Sequence, residues 1–310
     1  MSDASQPADA VSAPWMAALP RALRPYAQLM RLDRPIGVWL LFWPCLFGLV
    51  LGATAQDRTF TQWQDFQFVI LFALGAIVMR GAGCAFNDIV DRKIDASVAR
   101  TRGRPIPSGA ISVGSAVRLV VGLCLIGLAI LSQFNPFAVG LGAASLVLVA
   151  AYPFMKRITW WPQAWLGLTF NWGALLGFAA QTGTLSLADG LLYAGLIFWT
   201  LGYDTIYALQ DKDDDALIGV KSTARLFGDN APRWVARFYT IAFVLILAAG
   251  YAAHSGWLFT PLMLLAGAHL LWQVKKLNVN DPDQALFLFR ANRDTGTLMA
   301  AAFLGANWFA

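Results

Sequence analysis

The chain has 310 residues, 58% of them hydrophobic and 13% charged, with a formal net charge of +5 and a mean hydropathy of +0.56. Soluble domains carry about 25% charged residues, so this composition excludes a soluble globular protein and places the chain in membrane lipid. There an excess of Lys and Arg is first an orientation signal, and no nucleic acid is expected as a partner.

In chain order, residues 1–35 read as a polar, cytoplasmic N-terminal lead. Its first 20 residues hold Asp3 and Asp9 but no Lys or Arg, unlike a secretory signal or an Arg-rich transit peptide. Apolar stretches long enough for ~30 Å of hydrocarbon follow at 36–55, 66–86, 114–132, 136–155, 161–181, 187–207, 235–253, 256–274 and 296–310. The predicted fold is all-α: a polytopic membrane protein of about nine transmembrane helices, with 36–310 as its transmembrane domain. Twenty of the 23 basic residues fall in the lead, in the loops after the second, fourth, sixth and eighth spans, or, for Arg237, at the mouth of the seventh span, and only Arg58 falls in an alternate loop. The positive-inside rule then puts the N-terminus and those loops on the cytoplasmic side. Cys45, Cys84 and Cys124 are scattered without a CxxC pair and read as buried small residues. Asn171, in mid-span, is expected to face the bundle interior. His254 and His269 have no metal-like companions and read as interface or core residues. Phe289–Asp294 is expected in the last basic loop, where it could help close a site.

All 18 acidic residues are Asp, and eight of them lie within 88–95 and 204–215. Both clusters run off the same end of an apolar span, where ionisable groups are expensive. Asn87, Asp91 and Asp95 are spaced i, i+4, i+8, so a continuing helix lays them along one face. Asp211 and Asp215 repeat the i, i+4 spacing, and Asp204, Tyr207, Asp211 and Asp214 form a stripe running back toward lipid. Like charges at that spacing repel unless a cation neutralises them. Hard oxygen ligands without His or Cys suit Mg²⁺, which completes its shell with water and substrate phosphates. The candidate metal ligands are therefore Asn87, Asp88, Asp91, Asp95, Asp211, Asp214 and Asp215. Two carboxylate sets on one membrane face suggest a diphosphate clamp, and a diphosphate also needs cations. Arg92, Lys93, Arg100, Arg104 and Lys221 lie beside the clusters and are candidates for that role.

At these residues the sequence resembles the UbiA family of membrane prenyltransferases, and within it the members that act on 4-hydroxybenzoate in ubiquinone biosynthesis. The resemblance rests on Gly81–Asp95 (GAGCAFNDIVDRKID), Arg100, Thr101, Arg104, Pro105, Ser108 and Gly109. It continues in Tyr152–Arg157 (YPFMKR), Tyr203–Asp215 (YDTIYALQDKDDD), Gly219, Lys221–Ala224 and the opening Asp33–Gly37. It implies nine helices around a central cavity, a bacterial inner (plasma) membrane location, and Mg²⁺ held by Asn87, Asp91, Asp95, Asp211 and Asp215. It also implies two substrates, a polyprenyl diphosphate and 4-hydroxybenzoate, with Arg157 at the aromatic acid or the diphosphate and Lys156 and Tyr207 also substrate-binding. Either Asp204 or Asp211 is the expected base for the phenol. Naphthoate, homogentisate, haem or chlorophyllide are the alternative acceptors. A cation-coupled transporter fits poorly, because transporter sites lie near the bilayer midplane on broken helices.

Overall fold

The computed structural model describes residues 14–97, 101–212, 216 and 219–309. No strand occurs among them, and nine α-helices have 18 residues or more. With two short lead helices, α1 (Pro14–Ala18) and α2 (Arg24–Leu29), and the short α9 (Thr223–Phe227), the long ones run as follows. They are α3 (Ile36–Thr54), α4 (Trp63–Ser97), α5 (Val113–Leu131), α6 (Pro136–Ile158), α7 (Pro162–Thr182), α8 (Leu187–Ala208), α10 (Ala231–Ala252), α11 (Phe259–Lys276) and α12 (Pro282–Trp308). Each of the nine apolar stretches coincides with one of them.

Polar residues in the short connections set the boundaries. Ser112, Asn135 and Asp281 cap α5, α6 and α12 by accepting from Ser115 N, Ala138 N and Gln284 N. Ser186 and Asp189 form a capping box on α8. These side chains satisfy amide donors that a helix start leaves unpaired. Pro opens α6, α7 and α12 where no amide is needed. Gly183, at φ 72°, ends α7 in the left-handed conformation that glycine adopts without a Cβ penalty.

Two boundaries differ from the sequence expectation. Helix α4 does not stop at 86 but continues to Ser97 and carries the whole first Asp motif. Helix α12 begins at Pro282 rather than 296, so Phe289–Asp294 is helical and not a loop. Among the described residues, five runs are long and apolar enough to cross a membrane by length and composition alone: α3, α4, α5, α6 and Thr223–Ala252, which contains α10. Helices α7, α8, α11 and α12 dilute their apolar character with buried polar residues that pair with one another. Asn171 donates to Gly167 O, Leu196 O and Thr200 Oγ1 at 2.8, 3.1 and 2.7 Å. Asn292 accepts from Trp199 Nε1 and donates to Gln273 Oε1, and Gln273 donates to Thr295 Oγ1. His269 Nδ1 lies 2.8 Å from the same Thr295 hydroxyl. In hydrocarbon such groups must be satisfied within the protein.

The chain forms two compact units. The first takes the described residues up to Val38 together with Ala73–Gln133. Its core joins Leu29 of α2, Ala85 of α4, Ile106 and Ile111 of the following loop, and Ala116 of α5, with Tyr26, Ile89, Leu119 and Val120 packed against it. Tyr26 and Leu29 of the lead are thus part of this core. Val117, Val121, Leu125 and Leu128 of α5 are exposed, as a lipid-facing helix requires. Cys124 is exposed on that helix, whereas Cys45 and Cys84 are buried; α5 sits at the edge of its unit, which corrects the expectation of three buried cysteines.

The second unit takes Trp39–Phe72 and the described residues from Phe134 on. Helices α3 and α7 meet there through small residues spaced four apart, Gly48 and Gly52 against Gly173 and Gly177. A Cβ on Gly48 would lie 2.0 Å from Ala174 O, and one on Gly177 2.3 Å from Cys45 O. The two backbones touch, and only glycine permits that approach. At the loop following α3, Arg58 forms an ion pair with buried Asp65 at 2.8 Å and donates to Gln181 Oε1. Asn307 near the end of α12 bonds Thr54 Oγ1, Arg58 O and Phe60 N.

Candidate active site

The first Asp motif lies in the first unit. Because α4 continues unbroken, Asp88, Asp91 and Asp95 share one face, with relative exposures of 1%, 0% and 6%; Asn87 beside them is half-buried. Buried carboxylates are costly unless paired, and two arginines meet them. Arg31 Nη2 donates to both Asp88 oxygens at 2.8 and 2.9 Å. Arg104 Nη1 donates to Asp95 Oδ2 at 2.8 Å and lies 3.4 Å from Asp88 Oδ1. The loop that carries Arg104 is folded back by its own motif residues. Thr101 Oγ1 donates to Asp95 O, Arg104 N to Thr101 O, and Ile111 N to Pro105 O, with Gly109 at φ 78°.

The structure places the other candidates as follows. Asp88, expected among the metal ligands, has both oxygens on Arg31. Arg92 and Lys93, expected at the diphosphate, are exposed, and Arg92 donates to Ile89 O of its own helix. Arg100 lies outside the described residues. Arg31, one of the basic residues of the lead, pairs with a residue 57 positions away, which no local sequence pattern shows.

In the second unit, the end of α6, the start of α7, the 219–223 segment and the end of α8 are tied together. Lys221 N donates to Lys156 O at 3.1 Å. Lys221 Nζ, expected at the diphosphate, donates to Ile158 O at 3.1 Å at the end of α6. Thr223 N donates to Gln163 Oε1, and the Thr223 and Thr205 hydroxyls are 2.7 Å apart. Lys156 is half-buried and Arg157 exposed at the last turn of α6. Asp204 and Tyr207 are half-buried and Tyr203 is buried on α8. Phe289 of α12 packs on Tyr207 with ring centroids 4.5 Å apart and on Tyr203 at 6.0 Å. Phe289 therefore belongs to the second motif's surroundings as a helical wall rather than a closing loop.

Asp214, Asp215 and the Asp211 side chain lie outside the described residues. Among the described residues, no group of three or more His, Cys, Asp or Glu side chains is disposed to hold a metal ion. The remaining donors still fit a hard cation in kind. Asp91 and Asp95 are buried carboxylates one turn apart, and Asn87 adds an amide oxygen.

The sequence profile described as the UbiA prenyltransferase family matches residues 41–293. The chain belongs to the UbiA prenyltransferase family. A relative from Drosophila melanogaster, named "4-hydroxybenzoate polyprenyltransferase, mitochondrial", is 46% identical over 285 residues, covering 92% of this chain and 71% of the relative. The apo structure of a UbiA homolog from Aeropyrum pernix K1 superposes with a TM-score of 0.66 at 26% identity, over 87% of this chain and 96% of that one. A UbiA homolog from Archaeoglobus fulgidus, bound to DMAPP and Mg²⁺, shares the fold with a TM-score of 0.66 at 17% identity, over 92% and 99% of the two chains.

The expected bacterial inner membrane is corrected by this comparison, since the Drosophila relative is named as mitochondrial. Hydropathy and charge bias act in the same way in both kinds of membrane, so neither could separate them. The described residues of this family member are all-helical, without strands.

Proposed function

We propose that this UbiA-family chain transfers a polyprenyl group from polyprenyl diphosphate to the ring carbon ortho to the hydroxyl of 4-hydroxybenzoate, in ubiquinone biosynthesis. The observation that carries this reading is the 46% identity, over 92% of the chain, to a protein named for that reaction. The allylic C–O bond breaks heterolytically and the diphosphate leaves with the electron pair. The electron-rich carbon beside the phenol oxygen forms the new bond to the allylic carbon, and the ring then loses the proton it carried there. A bound Mg²⁺ would supply neutralisation of the charge developing on the diphosphate. We assign Asn87, Asp91, Asp95, Asp211, Asp214 and Asp215 to hold it. The oxygen-only donor set supports this, as does the Archaeoglobus homolog bound to DMAPP and Mg²⁺.

The chain's own groups do the rest. Arg104 and Arg100 take the diphosphate oxygens. Lys156 and Arg157 hold the carboxylate of the aromatic acid or the diphosphate. Asp204 or Asp211 takes the phenol proton. Tyr207 and Phe289 present π faces that favour an adjacent allylic cation. The polyprenyl tail stays in the bilayer, which is the protein's third partner besides its two substrates.

Purified protein in detergent, given polyprenyl diphosphate and Mg²⁺, is offered 4-hydroxybenzoate, a hydroxynaphthoate and homogentisate in parallel. The expected result is prenylated product with 4-hydroxybenzoate alone. Product with another acceptor and none with 4-hydroxybenzoate would overturn the acceptor assignment.

A further inference from the structure

Arg31 occupies an unusual place on the backbone. Helix α2 ends in a Schellman turn, in which Arg31 N donates to Gln28 O and Leu32 N to Ala27 O, each at 3.0 Å. The residue between the helix cap and Leu32 must take a left-handed conformation, and glycine usually fills that position. Here it is Arg31, at φ 56°. Non-glycine residues held in this region cluster where the surroundings over-determine them, often at functional sites.

Those surroundings are a docking strip on α4. Gly81, Ala85 and Asp88 are spaced i, i+4, i+7 and face one way. A Cβ on Gly81 would lie 2.8 Å from Met30 Cε, so this glycine makes room for the residue before Arg31. Ala85 packs in the core with Leu29. Asp88 then receives the Arg31 guanidinium in a two-bond grip, the side chains being 10% and 1% exposed. Glycine, small apolar residue and carboxylate therefore seat Met30, Leu29 and Arg31 in order.

Arg104 reaches the same carboxylate only weakly, at 3.4 Å, and is bonded to Asp95 at 2.8 Å. A carboxylate already gripped by one guanidinium attracts a second one less. We propose that Arg31 is a positioning residue for substrate binding: by neutralising Asp88 it keeps that carboxylate from capturing Arg104, which is then able to leave Asp95 for the diphosphate of the prenyl donor. This rests on the prenyl-transfer reading above for the identity of the donor. Asp88 on this account is the anchor of the lead and not a ligand. Without Arg31, the uncompensated Asp88 draws Arg104 in and withholds it.

The test compares wild type, Arg31→Gly, Asp88→Asn and the double variant in detergent. Titration calorimetry reads the affinity for inorganic diphosphate in the presence of Mg²⁺, and steady-state assays read KM and kcat for polyprenyl diphosphate. Arg31→Gly relieves the left-handed backbone, so lost function cannot be charged to strain, and the double variant removes the buried unpaired carboxylate should the single one fold poorly. Arg31→Gly is expected to weaken diphosphate binding and raise KM by about tenfold, the size of one lost hydrogen bond to a charged group, with kcat at saturation changed much less. Adding Asp88→Asn should recover most of that loss. Unchanged diphosphate affinity in Arg31→Gly, or single effects that simply multiply in the double variant, would overturn the proposal. A wild type that forms no prenylated product yet shows the Arg31-dependent diphosphate affinity would support the positioning role and refute the assigned reaction.

Discussion

At the scale of single residues, burial and pairing separate the roles of three aspartates that look alike in sequence. Asp88 is closed by Arg31, Asp95 by Arg104, and Asp91 is fully buried between them on the same helix face. Asp91→Ala is expected to lower turnover by about a hundredfold or more, the loss typical when a metal site is disabled, with unchanged expression and elution from a sizing column; near-normal turnover would remove Asp91 from the metal site. The i, i+4, i+8 spacing of Asn87, Asp91 and Asp95 made the shared face legible in advance, because α4 needed only to continue. The partners of that face were not legible. Arg31 is 57 residues from Asp88 in sequence, and its charge resembled the other basic residues that mark one side of the membrane. The contact of Lys221 was not legible either: its ammonium donates to Ile158 O at the open end of α6, 63 residues away in sequence.

At the scale of elements, hydropathy located all nine long helices because each needs a continuous apolar stretch, and it failed where polar residues are buried against one another. The first half of α12 was read as a loop since Asn292, Arg293, Asp294 and Thr295 dilute its apolar pattern. In the structure Asn292 and Thr295 are fully buried and bonded to Trp199 and Gln273, a satisfaction that one-dimensional hydropathy cannot register. The α3–α7 contact depends on the absence of side chains. Gly177→Leu would drive a side chain into the Cys45 carbonyl and should cost about 1–3 kcal/mol or more of stability, read as a lowered Tm in detergent; an unchanged Tm would mean the helices are not in contact there. The loop after α3 depends instead on charge. Arg58→Ala removes the cation from the buried Asp65 carboxylate, which keeps only the Gln181 amide and the Gln62 N–H, and should cost up to about 3 kcal/mol, the low end for breaking a buried pair, while Arg58→Ala combined with Asp65→Asn should recover much of it. A denaturation series on the single and double variants measures both.

At the scale of the whole molecule, charge is scarce at 13% of residues, and part of it has a visible structural task. Some of it anchors the lead to α4, some caps helix ends, and the rest is the acidic and basic set proposed for diphosphate and metal. The family and its fold were legible because the two Asp motifs are long and keep their order along the chain. The membrane was not, since the physical rules of insertion are common to bacterial and mitochondrial membranes. The absence of Glu among the 18 acids has no explanation in the structure.

The activity proposed for the chain is metal-dependent prenylation of an aromatic ring. Its most direct test is product analysis by mass spectrometry after incubating the purified protein with polyprenyl diphosphate and 4-hydroxybenzoate. A 3-prenylated acid that forms with Mg²⁺, disappears on chelation with EDTA and returns on adding excess Mg²⁺ is the predicted result. No product with Mg²⁺, beside an active control enzyme, or undiminished product after chelation, would contradict it.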